Sequence, residues 1–220
     1  FQITALEESE GVLRPRLSRR RAQQAALDAM LAGLHPGCIL PAVVTHLESF
    51  GAFVDIGCGI VSLLPIDMIS VSRIDHPRER FSVGMDITAV IKAIDNGRIS
   101  LTHKELLGTW EENAALFSPG ETVAGIIRSV ESYGAFVELT PNLAGLAEIK
   151  EGISPGQQAS VYIKSIIPSK MKVKLIIVDT FQYDYRPCAP DYFYHEKHMD
   201  RFVYSPESSE KLVETVFTSS

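Results

Sequence analysis

Residues 48–54 read ESFGAFV and residues 131–137 read ESYGAFV, so one heptapeptide occurs twice with a single substitution. In each copy, one aromatic residue lies on either side of a glycine. At the same offset of 83 residues, Pro36-Gly37 coincides with Pro119-Gly120 upstream of the heptapeptides. Self-similarity over this length indicates two copies of one small domain rather than a solenoid of short repeats.

Each copy has the pattern of β-strands and tight turns. The heptapeptides continue as GAFVDIG and GAFVELT, in which successive side chains alternate between two faces. The glycine between the aromatics indicates a bulge or a sharp bend. Asn96-Gly97 between two alternating runs predicts a two-residue hairpin. Five short strands in roughly 65–70 residues are typical of a small Greek-key barrel of the OB type.

We therefore predict a mainly β protein with two tandem five-stranded OB-fold barrels joined by short α-helices. Residues 19–34 are Ala-rich and residues 104–117 carry apolar side chains at helical spacing, so both predict linker helices. In chain order, the expected segments are a terminal hairpin of a truncated upstream OB-like domain (1–20), a linker helix (21–35), the first OB domain (36–105), a second linker helix (106–117), the second OB domain (118–180) and an aromatic-rich C-terminal extension (181–220).

The two ends of the chain need separate interpretations. Residues 1–20 repeat the order of residues 87–104: a strand, an acidic turn, and a strand that ends in Leu-Ser in the first stretch and in Leu-Thr in the second. We interpret them as the last hairpin of an upstream domain; a free-standing hairpin, marginally stable alone, is the alternative. For the tail we expect irregular chain packed onto the second barrel, with one strand within KLVETVF, residues 211–217.

Composition limits the classes of function. Acidic residues outnumber basic ones and the net charge is −6, which argues against nucleic-acid binding through bulk positive charge. No apolar run is long enough to span a bilayer. The opening FQITALEESE is charged where a signal peptide needs an apolar core. We expect a cytoplasmic monomer that does not associate with membranes and, because the chain opens without Met, a fragment or processed form.

The sequence contains no recognisable catalytic or metal-binding motif. Cys38, Cys58 and Cys188 are widely spaced and lack a CxxC pair, which supports neither a disulfide framework nor a zinc site. His195 and His198 are three residues apart, which is not the HExxH pattern, and we interpret that stretch as a surface helix end. The sequence also lacks a P-loop, a GxGxxG and a GxSxG. We therefore expect no enzyme, no cofactor and no metal.

The first copy resembles the RNA-binding OB domain of ribosomal protein S-one, the largest protein of the bacterial small ribosomal subunit. The resemblance rests on FGAFVDIG, residues 50–57, and on IKAIDNGRISLTHKE, residues 91–105. It is specific in the first copy and looser in the second. It implies non-catalytic binding of single-stranded RNA across the barrel face, with messenger RNA and the small ribosomal subunit as partners.

The resemblance also implies which residues contact RNA. In that family the contacts come from the two aromatics, a histidine twelve positions later, an acidic turn residue and a basic residue after it. Aromatic platforms stack on bases at about 1–3 kcal/mol each, and basic side chains pair with phosphates. The implied contacts are Phe50, Phe53, Lys92, Asp95 and Arg98 in the first copy, and Tyr133, Phe136, Lys164 and Lys172 in the second.

Both copies depart from the family pattern. The histidine position is Pro65 in the first copy and Glu148 in the second, and the turn at residues 167–170 lacks the acid. Phe53 and Phe136 can equally be core residues, because they lie inside alternating strands. A docking module for proteins on a ribosome or RNA-processing machine is the alternative function, and an accessory part of a nuclease is a third.

Two basic clusters can extend a phosphate track. One comprises Lys164, Lys170, Lys172 and Lys174 near the last hairpin of the second copy; an ordinary solvated hairpin is the alternative. The other comprises Arg73, His76, Arg78 and Arg80 in an insertion of the first copy, residues 70–81. A helical turn with salt bridges to Asp75 and Glu79 is the alternative for that insertion.

Overall fold

The computed structural model describes residues 1–9, 11–182 and 187–218. The strands are β1 (Gln2–Ser9), β2 (Val12–Ser18), β3 (Ile39–Glu48), β4 (Gly51–Asp55), β5 (Val61–Pro65), β6 (Asp86–Asp95), β7 (Arg98–Thr102), β8 (Thr122–Glu131), β9 (Gly134–Thr140), β10 (Leu143–Ala147), β11 (Gln158–Ile167), β12 (Lys172–Phe181), β13 (Arg201–Val203) and β14 (Glu214–Val216). The helices are α1 (Arg19–Leu31) and α2 (Trp110–Ala114). Short 3₁₀ turns occupy Ile66–Met68, Pro77–Glu79, Lys104–Leu107 and Pro168–Lys170.

Two closed five-stranded barrels follow one another along the chain, as the repeat predicts. The strand order is β3-β4-β5-β7-β6 in the first and β8-β9-β10-β12-β11 in the second, and each ring closes between its first and last strands. In both barrels the third and fifth strands of the copy pair in parallel, β5 with β7 and β10 with β12. The mainly β fold with two OB-type barrels is therefore confirmed.

Alternation of side chains fills each barrel. On β4, Ala52 and Val54 point into the first core and are fully buried, and Ala135 and Val137 do the same on β9. The intervening aromatic of each strand consequently points outward. This alternation separates a packed interior from an outer face whose side chains are available for contacts with other molecules.

The Asn-Gly signal forms the predicted hairpin. Asp95 pairs with Arg98 across a two-residue turn, and both Asn96 and Gly97 have positive φ, 50° and 77°. Asparagine and glycine tolerate this backbone conformation at low cost, which fixes the register of β6 against β7.

The second linker is not the single helix that the sequence predicts over residues 106–117. Lys104–Leu107 forms a 3₁₀ turn, and α2 covers only Trp110–Ala114. Gly108 separates them with φ +87°, and a Cβ there would lie 2.7 Å from the Phe193 ring. The left-handed backbone and the close contact with the tail break the helix at this glycine. The first linker helix, predicted over residues 21–35, also ends early, at Leu31.

The C-terminal tail packs mainly on the first barrel, so the expectation that it covers the second is wrong. Met199, Phe217 and Tyr192 contact Val90 of β6 in a separate apolar cluster. Of the tail residues that the structure describes, only Tyr204 joins the second core, and its hydroxyl donates to the Asn142 carbonyl at 2.6 Å. The strand expected within residues 211–217 forms as β14, which pairs with β13. Tyr183 and Tyr185 lie outside the described residues.

A buried ionic cluster joins the two barrels. Arg80 of the insertion donates to Glu138 of β9 at 2.6 Å, and Arg128 of β8 donates to the same carboxylate at 2.7 Å. Arg128 also pairs with Glu79. Arg80 and Glu138 are almost completely buried. Two cations and two anions therefore neutralise each other at the contact between the barrels.

The N-terminal hairpin stands apart from the barrels. Strands β1 and β2 pair with each other along their whole length, while Leu6, Leu13 and Leu17 remain largely exposed. No helix within the described ranges has the length and apolar character required to cross a membrane.

Candidate nucleic-acid interface

An exposed aromatic and a half-buried aromatic meet at the same place on each barrel. In the first, the rings of Phe50 and Phe53 are 6.0 Å apart and nearly perpendicular, at 89°. In the second, Tyr133 and Phe136 are 6.2 Å apart at 88°. Phe50 is 54% exposed and Tyr133 is 67% exposed. The repeat therefore preserves one geometry twice: an inner ring on the strand that buttresses an outer ring open to solvent.

The glycine of each heptapeptide is required by close packing beneath this aromatic pair. A Cβ on Gly51 would lie 2.5 Å from the carbonyl oxygen of Leu64 on the neighbouring strand. A Cβ on Gly134 would lie 2.7 Å from the carbonyl oxygen of Ala147. Any larger residue would force the strands apart at this point, so the glycine holds the backbone that positions both rings.

Strand register extends the outer face of the first barrel from Phe53. Phe53 pairs with Leu63 on β5, and Leu63 pairs with Ser100 on β7. Neighbouring strands lie about 4.8 Å apart, so these three side chains form a row about 10 Å long. Lys92 lies at the level of this row on the next strand, where β6 bulges between Ile91 and Ala93. It is exposed, and its Nζ reaches the Met68 sulfur at 3.4 Å.

The second barrel builds the same row with a different charge. Phe136 pairs with Leu146, which pairs with Lys174 on β12. Lys174 pairs in turn with Ser165, beside the bulge that carries Lys164. Lys174 thus lies where the first barrel has Ser100. Lys174 belongs to the predicted basic hairpin but not to the contacts that the resemblance implies. The register of β12 places it two strands from Phe136.

The remaining predicted contacts lie beside these rows, next to the turn between the last two strands of each barrel. Asp95 and Arg98 flank the Asn-Gly turn and are both exposed. Lys172 begins β12 after the 3₁₀ turn Pro168–Lys170 and is exposed as well. All nine predicted residues therefore lie on the surface, with Phe53 and Phe136 partly covered by their neighbours.

His46 is a contact candidate that the sequence analysis missed. Its ring lies 6.4 Å from that of Phe53, tilted by 35°, and its Nε2 lies 2.7 Å from a carboxylate oxygen of Glu48. The family position for a histidine is Pro65, at the end of β5, which pairs with Gly51. Strand β3 therefore brings a histidine to the aromatic face from the other side. Strict alternation from the buried Val44 would turn His46 inward, and the bulge of β3 between Val44 and His46 turns it to the outer face instead, so the local pattern does not identify it.

A groove of about 980 Å³ runs between the insertion of the first barrel and the aromatic face of the second. Tyr133 and Phe136 line one side, and Arg73 and Arg78 line the other. Both arginines are exposed. The insertion forms a short helical turn, as its alternative interpretation expects, with His76 and Glu79 capping Pro77–Glu79. The expected salt bridges within it are replaced by pairs across the barrels, because Glu79 pairs with Arg128 and Arg80 pairs with Glu138.

Arg80 and Arg128 are unavailable to phosphates because the cluster between the barrels binds both of them. Burial lowers the pKa of the Arg128 guanidinium, but hydrogen bonds and charges from Glu138 and Glu79 outweigh it and hold the pKa above its ordinary value. Of the four basic residues of the insertion, only Arg73 and Arg78 face the groove.

Comparison with known proteins identifies the first barrel. The family model described as the S1 RNA binding domain matches residues 34–104. These residues form an S1 RNA-binding domain. The match covers all five strands of the first barrel, including Phe50, Phe53, Lys92 and Arg98.

The similarity extends beyond this domain. The chain is 34% identical to the small ribosomal subunit protein bS1 of Staphylococcus aureus (strain COL), over 74% of this chain and 46% of that protein. It is 29% identical to bS1 of Rhizobium meliloti (strain 1021), over 83% of this chain and 35% of that protein. Most of the chain is therefore homologous to bacterial bS1, although it spans about half the length of these relatives or less.

Among solved structures, the solution structure of GSP13 from Bacillus subtilis is similar to part of the chain. The identity is 24%, with a TM-score of 0.33, over 39% of this chain and 73% of that one.

Proposed function

We propose that this chain binds single-stranded RNA without catalysing a reaction, and that it acts in translation with messenger RNA and the small ribosomal subunit. The observation that carries the proposal is the aromatic pair that recurs in both barrels with the same separation and the same perpendicular geometry. Homology to bS1 supports the ribosomal context. The same context favours a cytoplasmic protein.

Stacking supplies most of the binding free energy in this proposal. An exposed ring accepts any base, because every base has a π-face, and each such contact contributes about 1–3 kcal/mol. Phe50 and Tyr133 are the rings open to solvent. This mode suits a protein whose net charge is −6, because it does not depend on bulk electrostatic attraction.

Phosphate contacts add a local electrostatic contribution. Lys92 and Arg98 on the first barrel, and Lys164, Lys172 and Lys174 on the second, are exposed on or beside the rows that begin at the aromatics. Two such sites in one chain increase affinity through effective concentration, provided that one RNA spans both. The buried cluster of Arg80, Glu138 and Arg128 restricts the relative movement of the barrels and so reduces the entropy that binding must overcome.

The proposal is tested by titrating a fluorescent single-stranded RNA of about twenty nucleotides with the native chain and with Phe50→Ala/Tyr133→Ala. Loss of two stacking contacts, at about 1 kcal/mol or more per ring, should weaken binding by at least roughly thirtyfold. Phe1→Ala is the matched control, because Phe1 is the most exposed aromatic among the described residues and belongs to neither barrel. Equal affinities for all three proteins would contradict the proposal.

The second candidate is a protein-docking module. The acidic net charge and the replacement of the family histidine by Pro65 and Glu148 favour it. Folded native chain that fails to bind the RNA at low salt would support docking and reject the RNA-binding proposal.

A further inference from the structure

Three side chains with metal-binding atoms meet where the tail crosses the beginning of the first barrel. They are His35, Cys38 and His198, and their ligand atoms all lie within 4.8 Å of one another. His35 and Cys38 precede β3, whereas His198 lies some 160 residues later in the chain. The rings of His35 and His198 are in edge contact, with centroids 4.7 Å apart.

The backbone holds this cluster from both sides. Cys38 and His198 form an antiparallel bridge. The amide of Ile39 donates to the carbonyl of Lys197, and the amide of Met199 donates to the carbonyl of Gly37, each at 2.9 Å. Residues 195–198, which the sequence analysis interprets as a surface helix end, form no helix.

Gly37 brings the His198 ring close to the barrel. It has φ +89°, and a Cβ there would lie 2.6 Å from Cε1 of His198. Only glycine combines this left-handed backbone with so close a contact. The position of the His198 ring is therefore set by packing against the main chain rather than by a flexible surface contact.

The two nitrogens of His198 have different surroundings. Nε2 lies 2.9 Å from a carboxylate oxygen of Asp200. Nδ1 is buried and has no hydrogen-bond partner among the described residues. A buried polar atom without a partner costs free energy. A metal-bound histidine typically uses one nitrogen for the metal and directs the other to a carboxylate. With Nε2 directed to Asp200, Nδ1 is the nitrogen left for a metal.

We propose that His35, Cys38 and His198 form a zinc site, with Asp200 orienting His198. Imidazole nitrogens and a thiolate suit Zn²⁺, whereas Ca²⁺ and Mg²⁺ prefer oxygen ligands. Bond lengths of about 2.0–2.3 Å put the ligand atoms of a tetrahedral zinc roughly 3.3–3.8 Å apart. Atoms within 4.8 Å reach this spacing through side-chain adjustments of about 1 Å. Three protein ligands leave the fourth position to water.

The site would fasten the tail to the first barrel. One ligand comes from the tail and two from the residues that lead into β3, so the metal cross-links segments that are distant in the sequence. The large separation also explains why a search for closely spaced cysteines and histidines predicts no metal. This inference does not depend on RNA binding.

The direct test is a metal titration of the untagged full chain after treatment with a chelator. Co²⁺ serves as the spectroscopic probe, because thiolate coordination produces a charge-transfer absorption, and Zn²⁺ is then added in competition. We expect one ion per chain, with the charge-transfer band present in the native protein and in Cys58→Ser, whose cysteine is exposed and is not part of the cluster. The band should be absent in Cys38→Ser.

A second pair of variants guards against misfolding. His35 is exposed, so His35→Gln should fold, and its Zn²⁺ affinity should fall at least tenfold. Asp200→Asn leaves all three ligands in place and should lower Zn²⁺ affinity by up to about tenfold, the low end of the effect of such carboxylates, because the Asp200 side chain is 93% exposed. No thiolate band in the native chain, or the same Zn²⁺ affinity in His35→Gln as in the native chain, would overturn the proposal.

Discussion

The two barrels have the same aromatic face but different flanks. Asp55 and Glu138 occupy the same position of the repeat, after the heptapeptide. Asp55 accepts a hydrogen bond from the Gly57 amide near the surface, at 2.8 Å. Glu138 is buried between Arg80 and Arg128. A carboxylate that closes a local turn in one copy thus joins the two barrels in the other, so the repeat duplicates the proposed binding face while the flanks differ.

The largest expected effect is a loss of stability on replacing the buried carboxylate of Glu138. Glu138→Gln leaves Arg80 and Arg128 without their shared carboxylate, and breaking a buried pair in this way costs about 3–5 kcal/mol. Asp55→Asn, the matched change in the first barrel, should cost at most about 1 kcal/mol, because it affects one hydrogen bond near the surface. Urea unfolding measures both free energies; equal losses would show that the buried cluster does not stabilise the contact between the barrels.

Acid should affect the first barrel through a residue that the second lacks. His103 is buried against Phe81 and Tyr192, and burial lowers its pKa from 6.5 to about 4, despite a hydrogen bond with the Ile69 carbonyl. As the pH falls below 6.5, His103 becomes protonated in the unfolded chain but stays neutral in the folded chain until the pH approaches 4. The free energy of unfolding should therefore fall between pH 6.5 and pH 4, by up to about 3 kcal/mol from this residue.

The variant His103→Asn isolates this contribution, because it retains a donor for the Ile69 carbonyl but does not titrate. The difference in unfolding free energy between pH 7 and pH 4.5 should be smaller in His103→Asn than in the native chain. The same dependence on pH in both proteins would show that His103 does not titrate as its burial implies.

The smallest expected effect is a difference between the two barrels in how steeply the affinity for RNA falls with salt concentration. Each phosphate contact contributes about 0.7 to the slope of log affinity against log salt for a single strand. Lys164→Ala/Lys172→Ala/Lys174→Ala should reduce that slope by about 2, whereas Lys92→Ala/Arg98→Ala should reduce it by about 1.4. RNA titrations at several salt concentrations measure the slopes. An unchanged slope in the triple variant would exclude these lysines from phosphate binding.

Local patterns predict the barrels and their aromatic faces well. The repeated heptapeptides lie on equivalent strands, the Asn-Gly turn forms, and Phe50 and Tyr133 are exposed. Each of these features depends on neighbouring residues, through alternation of side chains or through the backbone preferences of one turn. Such preferences can be recognised in the sequence without knowing what lies across the molecule.

The features that the sequence did not predict depend on contacts between distant residues. Gly108 breaks the expected linker helix partly because Phe193 of the tail packs against it. Arg80 pairs with Glu138, 58 residues away, rather than with a neighbouring acid. The tail has no periodic pattern, so nothing local indicates that it covers the first barrel rather than the second. His35, Cys38 and His198 likewise come together only through that packing.

The claim that the outer aromatics of both barrels contact bases is tested most directly by photocrosslinking. A single-stranded RNA containing 4-thiouridine would be irradiated with the native chain, and the modified peptides identified by mass spectrometry. We predict crosslinks at Phe50 and Tyr133, within residues 48–54 and 131–137, and their loss when unlabelled RNA competes. Crosslinks confined to the N-terminal hairpin, α1 or the tail would contradict the claim, because they would place the RNA away from both aromatic faces.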